Sequence, residues 1–212
     1  MNKKIYMIDH GLGNLQSILQ VSIFLGIHIE IISDPDEVIK ADAVILPGVG
    51  AFGEAMNNMN RSGMSDAVIN FIQSGKPLIG VCLGLQLLFS ESEEFGSHKG
   101  LGVIQGKVKK FDFSKVSKIP QVGWNKVSPL DNNYSNWQNT PLKNIRNNDY
   151  MYFVHSYYVE PVSKQVILAE TTYNSITYSS AILKENVFAV QFHPEKSSHA
   201  GILIYKSWFD SI

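Results

Sequence analysis

Short apolar runs alternate with helical patterns through the first half of the chain. Ile5 to Ile8 reads as a strand and Asn14 to Leu25 as a helix. Ile27 to Ile32 and Ala43 to Leu46 read as two more strands, the last running into Pro47-Gly48-Val49-Gly50. Ala51 to Ser74 has helical spacing, interrupted near Gly63. Pro77 to Val81 is a fourth strand, with a helix expected from Leu83 to Phe89. Strands alternating with helices predict βαβ units, hence an α/β fold with a mostly parallel central sheet flanked by helices. Such sheets place their sites beyond the carboxyl ends of the strands. Three segments fall there: Asp9-His10-Gly11-Leu12-Gly13-Asn14, Pro47 to Gly50, and the turn at Cys82.

The second half has another rhythm. Val103 to Phe111, Val122 to Val127, Tyr150 to Val159, Val166 to Thr172, Ile176 to Leu183 and Phe188 to Phe192 all read as strands. Their short, turn-like connections predict an antiparallel extension. Asp131 to Asp149 is rich in asparagine and carries Pro141, so it reads as an exposed connection with little structure of its own. Ala200 to Phe209 is amphipathic and predicts a closing helix. There is no internal repeat and no linker, so residues 1–212 are expected to form one domain.

Composition narrows the function classes. Among 212 residues, 18 basic and 19 acidic side chains leave a net charge of -1 with no block of one sign, which argues against nucleic-acid binding through a basic patch. The apolar run after Lys3 and Lys4 is too short for a signal peptide, and none approaches the roughly 20 residues of a membrane helix. A single cysteine cannot form an internal disulfide, which fits a reducing compartment. A cytoplasmic protein that does not engage membranes is expected.

That cysteine carries the chemistry. Gly80-Val81-Cys82-Leu83-Gly84-Leu85-Gln86 joins an apolar strand to a helix. A lone thiol at a strand-to-helix turn, with glycines two residues before and after, has the frame of a nucleophile elbow. A helix amino terminus favours the thiolate that attacks. A lone cysteine is more often a small buried hydrophobe, so the frame needs a base elsewhere. The strand Phe188 to Phe192 runs into His193-Pro194-Glu195, where Pro194 forces a turn. A carboxylate on one ring nitrogen would leave the other to take the thiol proton. Cys82, His193 and Glu195 are therefore the candidate catalytic triad. His10 and His155 compete for the role of base, and His28, His98 and His199 read as surface or packing residues. Gly48 and Gly50 allow backbone amides to point at a ligand, and the amide of Leu83 sits where elbows place an oxyanion donor.

Taken together, G-x-C-x-G-x-Q at Gly80 to Gln86 and H-P-E at His193 to Glu195 resemble the class I (triad) glutamine amidotransferases, with their flavodoxin-like fold, over nearly the whole chain. Asp9 to Leu15, Leu46 to Phe52, Ile119 to Asn125, Glu93-Glu94 and Tyr152 to Tyr157 support the likeness, which within the family is greatest to the glutaminase subunits of imidazole glycerol phosphate synthase. The resemblance implies hydrolysis of glutamine to glutamate and ammonia. Gly50 and Leu83 would form the oxyanion hole, with Val49 reorienting on activation. Gly48, Gln86, Glu94, Ser156 and Tyr157 would bind glutamine. Trp124, Asn125, Tyr152 and Lys196 would meet a (β/α)₈ cyclase subunit that receives the ammonia, in a heterodimer serving histidine biosynthesis. It implies no cofactor and no metal.

Two positions depart from the family pattern: His10 replaces a tyrosine, and Gln121 replaces a histidine. Gln121 suits paralogous glutaminases that supply ammonia for acetamidino-sugar formation in surface polysaccharides, and that is the alternative acceptor. Outside this reading stand a γ-glutamyl hydrolase or peptidase on a similar fold, and a non-catalytic relative. Gln86 and the Pro47 to Gly50 turn weigh against the first, and the intact triad weighs against the second.

Overall fold

The computed structural model describes residues 3–147 and 149–212. Met1 and Asn2, at the start of the stretch read as lacking a signal peptide, and Asn148, within the 131–149 connection, lie outside the described residues. The chain begins with β1 (Ile5–Ile8), α1 (Leu15–Phe24), β2 (Glu30–Ile32), α2 (Pro35–Val38) and β3 (Ala43–Leu46). Next come α3 (Phe52–Ser62), α4 (Met64–Gln73), β4 (Leu78–Val81), α5 (Leu83–Leu87), β5 (Phe89–Ser92), β6 (His98–Lys99) and β7 (Ile104–Lys110). The remainder holds β8 (Gln121–Lys126), β9 (Ser128–Pro129), β10 (Tyr150–His155), β11 (Tyr157–Pro161), β12 (Ile167–Tyr173), β13 (Ile176–Lys184), β14 (Val187–Val190) and α6 (Ser198–Phe209).

One sheet runs β2-β1-β3-β4-β14-β13-β11-β7-β5-β6, with β12 and β9 added beside β13. The pairs from β2 through β14 are parallel. From β14 to β7 the pairs are antiparallel. Every residue of β1, β3, β4 and β14 is buried, as expected for strands covered on both faces. Two apolar clusters fill the space on either side of the sheet: one includes Met7, Ile18, Phe153, Tyr205 and Trp208, the other Phe52, Met59, Phe71 and Phe89. Among the described residues, no helix is long and apolar enough to cross a membrane.

Three expectations need correction. The helix after Cys82 stops at Leu87, and Phe89 already begins β5, where its fully buried ring joins the second cluster. The strand expected over Tyr150 to Val159 is two strands broken at Ser156: β10 pairs only with β8, in a separate two-stranded ribbon, and β11 joins the main sheet. The 131–149 connection is not merely an exposed loop. Trp137, Leu142 and Ile145 are buried, and the Trp137 indole donates to the Leu168 carbonyl at 2.8 Å. Asparagine-rich composition masked three apolar anchors spaced too widely to show a period.

Candidate active site

The parallel register fixes where the sulfur sits. β4 lies between β3 and β14 and ends at Val81, so Cys82 emerges at the carboxyl edge of the sheet's centre. Its backbone has φ 54° and ψ -108°, a conformation that L-residues avoid. The amide of Cys82 donates to the Val190 carbonyl at 2.8 Å, which pins the turn to β14. Gly84 is obligatory: a Cβ there would lie 1.8 Å from the Leu46 carbonyl oxygen.

β14 delivers the second half of the site from the adjacent strand. The chain continues from Val190 through buried Gln191 and Phe192 to His193, where Pro194 opens a short 3₁₀ turn. The His193 amide donates to the Tyr152 carbonyl at 2.9 Å. The Ser197 hydroxyl donates to the His193 carbonyl at 2.6 Å and accepts from the Tyr152 amide at 2.9 Å, so the turn is bolted to β10. His193 Nδ1 meets Glu195 Oε1 at 2.7 Å, with both side chains out of solvent. A carboxylate only accepts, so Nδ1 carries a proton in either charge state and Nε2 is the nitrogen that gains or loses the second one. Nε2 has no oxygen or nitrogen partner among the described residues. Burial opposes charge on His193, but Cys82 and Glu195 on either side outweigh it and raise its pKa to about 10. The fully buried Tyr205 hydroxyl faces Glu195 from α6, and burial followed by that carboxylate pushes its pKa well up.

A cavity of about 280 Å³ opens beside the sulfur, lined by Val49, Gly50, Cys82, Leu83, Gln86, Glu94, Val154, His155, Ser156 and Tyr157. Glu94 Oε2 accepts from the Phe52 amide at 2.6 Å, and burial raises the carboxyl pKa against the opposing pull of that amide and of His98. Gln86 is buried, and its amide nitrogen donates to the Tyr157 carbonyl and to Gln191 Oε1, each at 3.1 Å. Gln191 Nε2 in turn approaches Cys82 Sγ at 3.7 Å. Gly48 lies behind the cavity wall, against Leu83 and His10. A larger groove of about 480 Å³ holds Asn125 with Asp131 and Glu170, but none of the candidate triad.

Of the two amides expected in the oxyanion hole, that of Leu83 is engaged elsewhere, as is that of Val49 beside Gly50. Leu83 N–H donates to the Gly48 carbonyl at 3.3 Å, and Val49 N–H donates to the Leu12 carbonyl at 3.2 Å. His10 Nε2 donates to the Pro47 carbonyl at 2.8 Å, which ties the first loop to this one. His155 is fully enclosed, with Nδ1 on the Tyr157 carbonyl and Nε2 on Tyr178, and burial lowers its pKa to about 4. His155 has both ring nitrogens bound, and His10 leaves Nδ1 without a partner but has no carboxylate on its other nitrogen, as His193 does.

The ribbon of β8 and β10 presents alternate residues outward. Val122 faces Val154 and Trp124 faces Tyr152 across the strands, the last two rings edge-on at 6.1 Å. Val122, Trp124, Tyr150 and Val154 are exposed, and Val154 also reaches the cavity, so this apolar face adjoins its mouth. Asn125 turns the other way and donates to the Thr172 carbonyl at 2.9 Å. Lys196 is exposed beside Glu195. Gln191, Tyr178 and Tyr205 were not singled out from sequence. Gln191, two residues before His193 in a strand, had the best signal, a polar residue in an otherwise apolar run.

Comparison with known proteins agrees with this geometry. The family model for Glutamine amidotransferase class-I matches residues 6–207. The chain is 44% identical over 200 residues to the imidazole glycerol phosphate synthase subunit HisH of Chlorobium chlorochromatii, covering 94% of this chain and 96% of that protein. It is 43% identical over 207 residues to the subunit of the same name from Caldanaerobacter subterraneus subsp. tengcongensis, covering 97% of each. Among solved structures, PurLQS from Thermotoga maritima superposes with a TM-score of 0.76 at 16% identity, over 100% of this chain and 99% of that one, a likeness of fold. With a cysteine elbow, a buried histidine–glutamate pair and a match across almost its full length, the chain belongs to the class I glutamine amidotransferases.

Proposed function

We propose that residues 1–212 are one glutamine amidotransferase domain that acts as the glutaminase subunit of an imidazole glycerol phosphate synthase, and that Cys82, His193 and Glu195 are its catalytic triad. The buried His193–Glu195 pair carries this reading, because it leaves Nε2 as the nitrogen that exchanges a proton, with Cys82 acting on the ring. The Cys82 thiolate attacks the side-chain carbonyl carbon of glutamine. The carbon–nitrogen bond breaks as His193 gives its proton to the leaving nitrogen, so ammonia departs and a glutamyl thioester remains. Water then attacks the thioester carbon as His193 takes its proton, the carbon–sulfur bond breaks, and glutamate leaves with the Cys82 thiolate and protonated His193 restored. The amides of Gly50 and Leu83 stabilise the oxyanion once the Pro47–Gly50 loop has turned, and Val49 reorients in that movement. Gln86, Glu94, Ser156 and Tyr157 form the glutamine pocket, with Gly48 shaping the loop behind it.

Ammonia released into water is protonated and loses its nucleophilicity, so the cavity mouth must be covered by the protein that uses it. The exposed Val122, Trp124, Tyr150 and Val154 face supports docking of a (β/α)₈ cyclase subunit there, with Tyr152 and Lys196 at the same contact and Asn125 behind it, tying β8 to the Thr172 carbonyl. The acceptor chemistry is that of imidazole glycerol phosphate formation. Identities of 44% and 43% to subunits of that synthase support this acceptor over sugar amidination.

The test is a reconstituted pair. Cys82→Ala should lower glutamine-dependent turnover by about 10⁴-fold or more while ammonium salts still drive the cyclase at the wild-type rate. Residual glutamine hydrolysis near the wild-type level would remove Cys82 from the mechanism.

A further inference from the structure

Behind the cavity, a line of buried polar groups runs from β8 to the sulfur, and one member is mispaired. His155 Nδ1 lies 2.7 Å from the Tyr157 carbonyl, which can only accept, so the proton of this neutral ring sits on Nδ1 and Nε2 is an acceptor. Tyr178 Oη is 3.2 Å from that Nε2 and must donate to it. The same hydroxyl lies 3.0 Å from Gln121 Oε1 and has no second proton to give. Meanwhile Gln121 Nε2 is buried with no partner among the described residues. Turning the carboxamide by half a rotation exchanges Oε1 and Nε2 without changing its shape, and only hydrogen-bond partners distinguish the two. The turned amide donates to Tyr178, and every bond in the line then has one donor and one acceptor.

We infer that Gln121 is a positioning residue for the glutamine pocket: its amide N–H donates to Tyr178, Tyr178 donates to His155 Nε2, and His155 Nδ1 thereby holds the Tyr157 carbonyl. That carbonyl also receives Gln86, whose amide nitrogen reaches Gln191 Oε1, and Gln191 Nε2 lies against Cys82 Sγ. One end of the line is thus on β8, three residues from exposed Trp124, and the other is the candidate nucleophile. Any residue at 121 must therefore donate; acceptance alone breaks the line. An imidazole N–H meets this requirement as an amide does, whereas a carboxylate of the same shape does not.

The inference rests on the glutaminase reading, and the test separates the two. Full-length protein is titrated with a glutamine-like α-chloroketone, giving a half-saturation constant and a limiting rate of Cys82 alkylation, with iodoacetamide as a probe that does not use the pocket. Gln121→Glu and Tyr178→Phe should raise the half-saturation constant for the chloroketone about tenfold, with the limiting rate and the iodoacetamide rate within about twofold of wild type. Gln121→His should restore wild-type saturation. A Gln121→Glu protein that saturates like wild type would overturn the inference. Should Gln121→Glu fail to fold, Gln121→Met carries the same expectation. Independently of alkylation, ¹⁵N spectra of histidine-labelled protein should show His155 as the Nδ1–H tautomer, and an Nε2–H tautomer would equally overturn it. If the chloroketone alkylates no variant, the glutaminase reading fails, and the tautomer still decides the placement of Gln121.

Discussion

The His193–Glu195 turn and the Pro47–Gly50 loop flank the same sulfur, and their hydrogen bonds act to opposite effect. On the histidine side, the His193 amide, its carbonyl and Nδ1 are each bound, and the one nitrogen left over is the one proton transfer needs. On the loop side, the amides of Leu83 and Val49 give their protons to the Gly48 and Leu12 carbonyls. Under the proposed reading, the acid–base machinery is built in advance and one of the two oxyanion donors, the Leu83 amide, is withheld. One oxyanion donor is worth about 10²–10³ in rate, so a glutaminase held in this state hydrolyses glutamine slowly until the loop turns. A subunit that must not release ammonia without its acceptor gains from that division of labour, because exposed strand residues adjoin the cavity on the side where a partner would dock.

Three measurements sharpen or break the contrast. The largest effect is expected on the assembled side: His193→Ala and Glu195→Gln should each lower glutamine-dependent turnover by about 10²–10⁴-fold, leaving ammonium-dependent turnover of the partner intact. A loss under tenfold for His193→Ala would mean that another group serves as base. A smaller effect concerns charge. With its pKa raised to about 10 by Cys82 and Glu195, His193 should stay protonated through neutral pH in an NMR titration, and Cys82→Ala should lower that pKa. The sign for stability follows: this contribution is complete below the unfolded value of 6.5 and fades as pH climbs through about 10. Titration near 6.5 in both proteins would show that the sulfur does not act on the ring. The smallest effect is in backbone dynamics. The amides of Cys82 and His193, bound at 2.8 and 2.9 Å, should exchange with solvent at least about tenfold more slowly than those of Leu83 and Val49, bound at 3.3 and 3.2 Å. Equal protection would make the loop as rigid as the turn and leave no route to an oxyanion hole.

Much of this architecture was legible before any coordinates. Apolar runs of four residues between helical patterns marked β1, β3 and β4, because a strand buried on both faces has no room for polar residues. The elbow and the His193-Pro194-Glu195 turn were legible because each is local: a strand end, a tight turn and a fixed spacing place the side chain. Tyr152 to Tyr157 was harder. The alternation continues across Ser156, so nothing in the pattern says that the chain changes sheets there. Phe89 fitted a helix and a strand equally well, and pairing with β7 decided between them. The peptide orientations of the Pro47–Gly50 loop were beyond reach, since glycines on both sides of Val49 permit more than one.

What the residues alone determined is which atoms carry the chemistry: one thiol on an elbow, and one imidazole with a carboxylate two residues away. Short-range sterics and spacing suffice for that. The tertiary structure alone decided which donors face which acceptors. Adjacent β4 and β14 bring Cys82 and His193 together, β10 bolts the turn, and the line from Gln121 to Gln191 closes only when four strands and α5 converge. Hydrogen bonds have a direction and a reach of about 3 Å, and no pattern along a chain encodes either between residues so far apart.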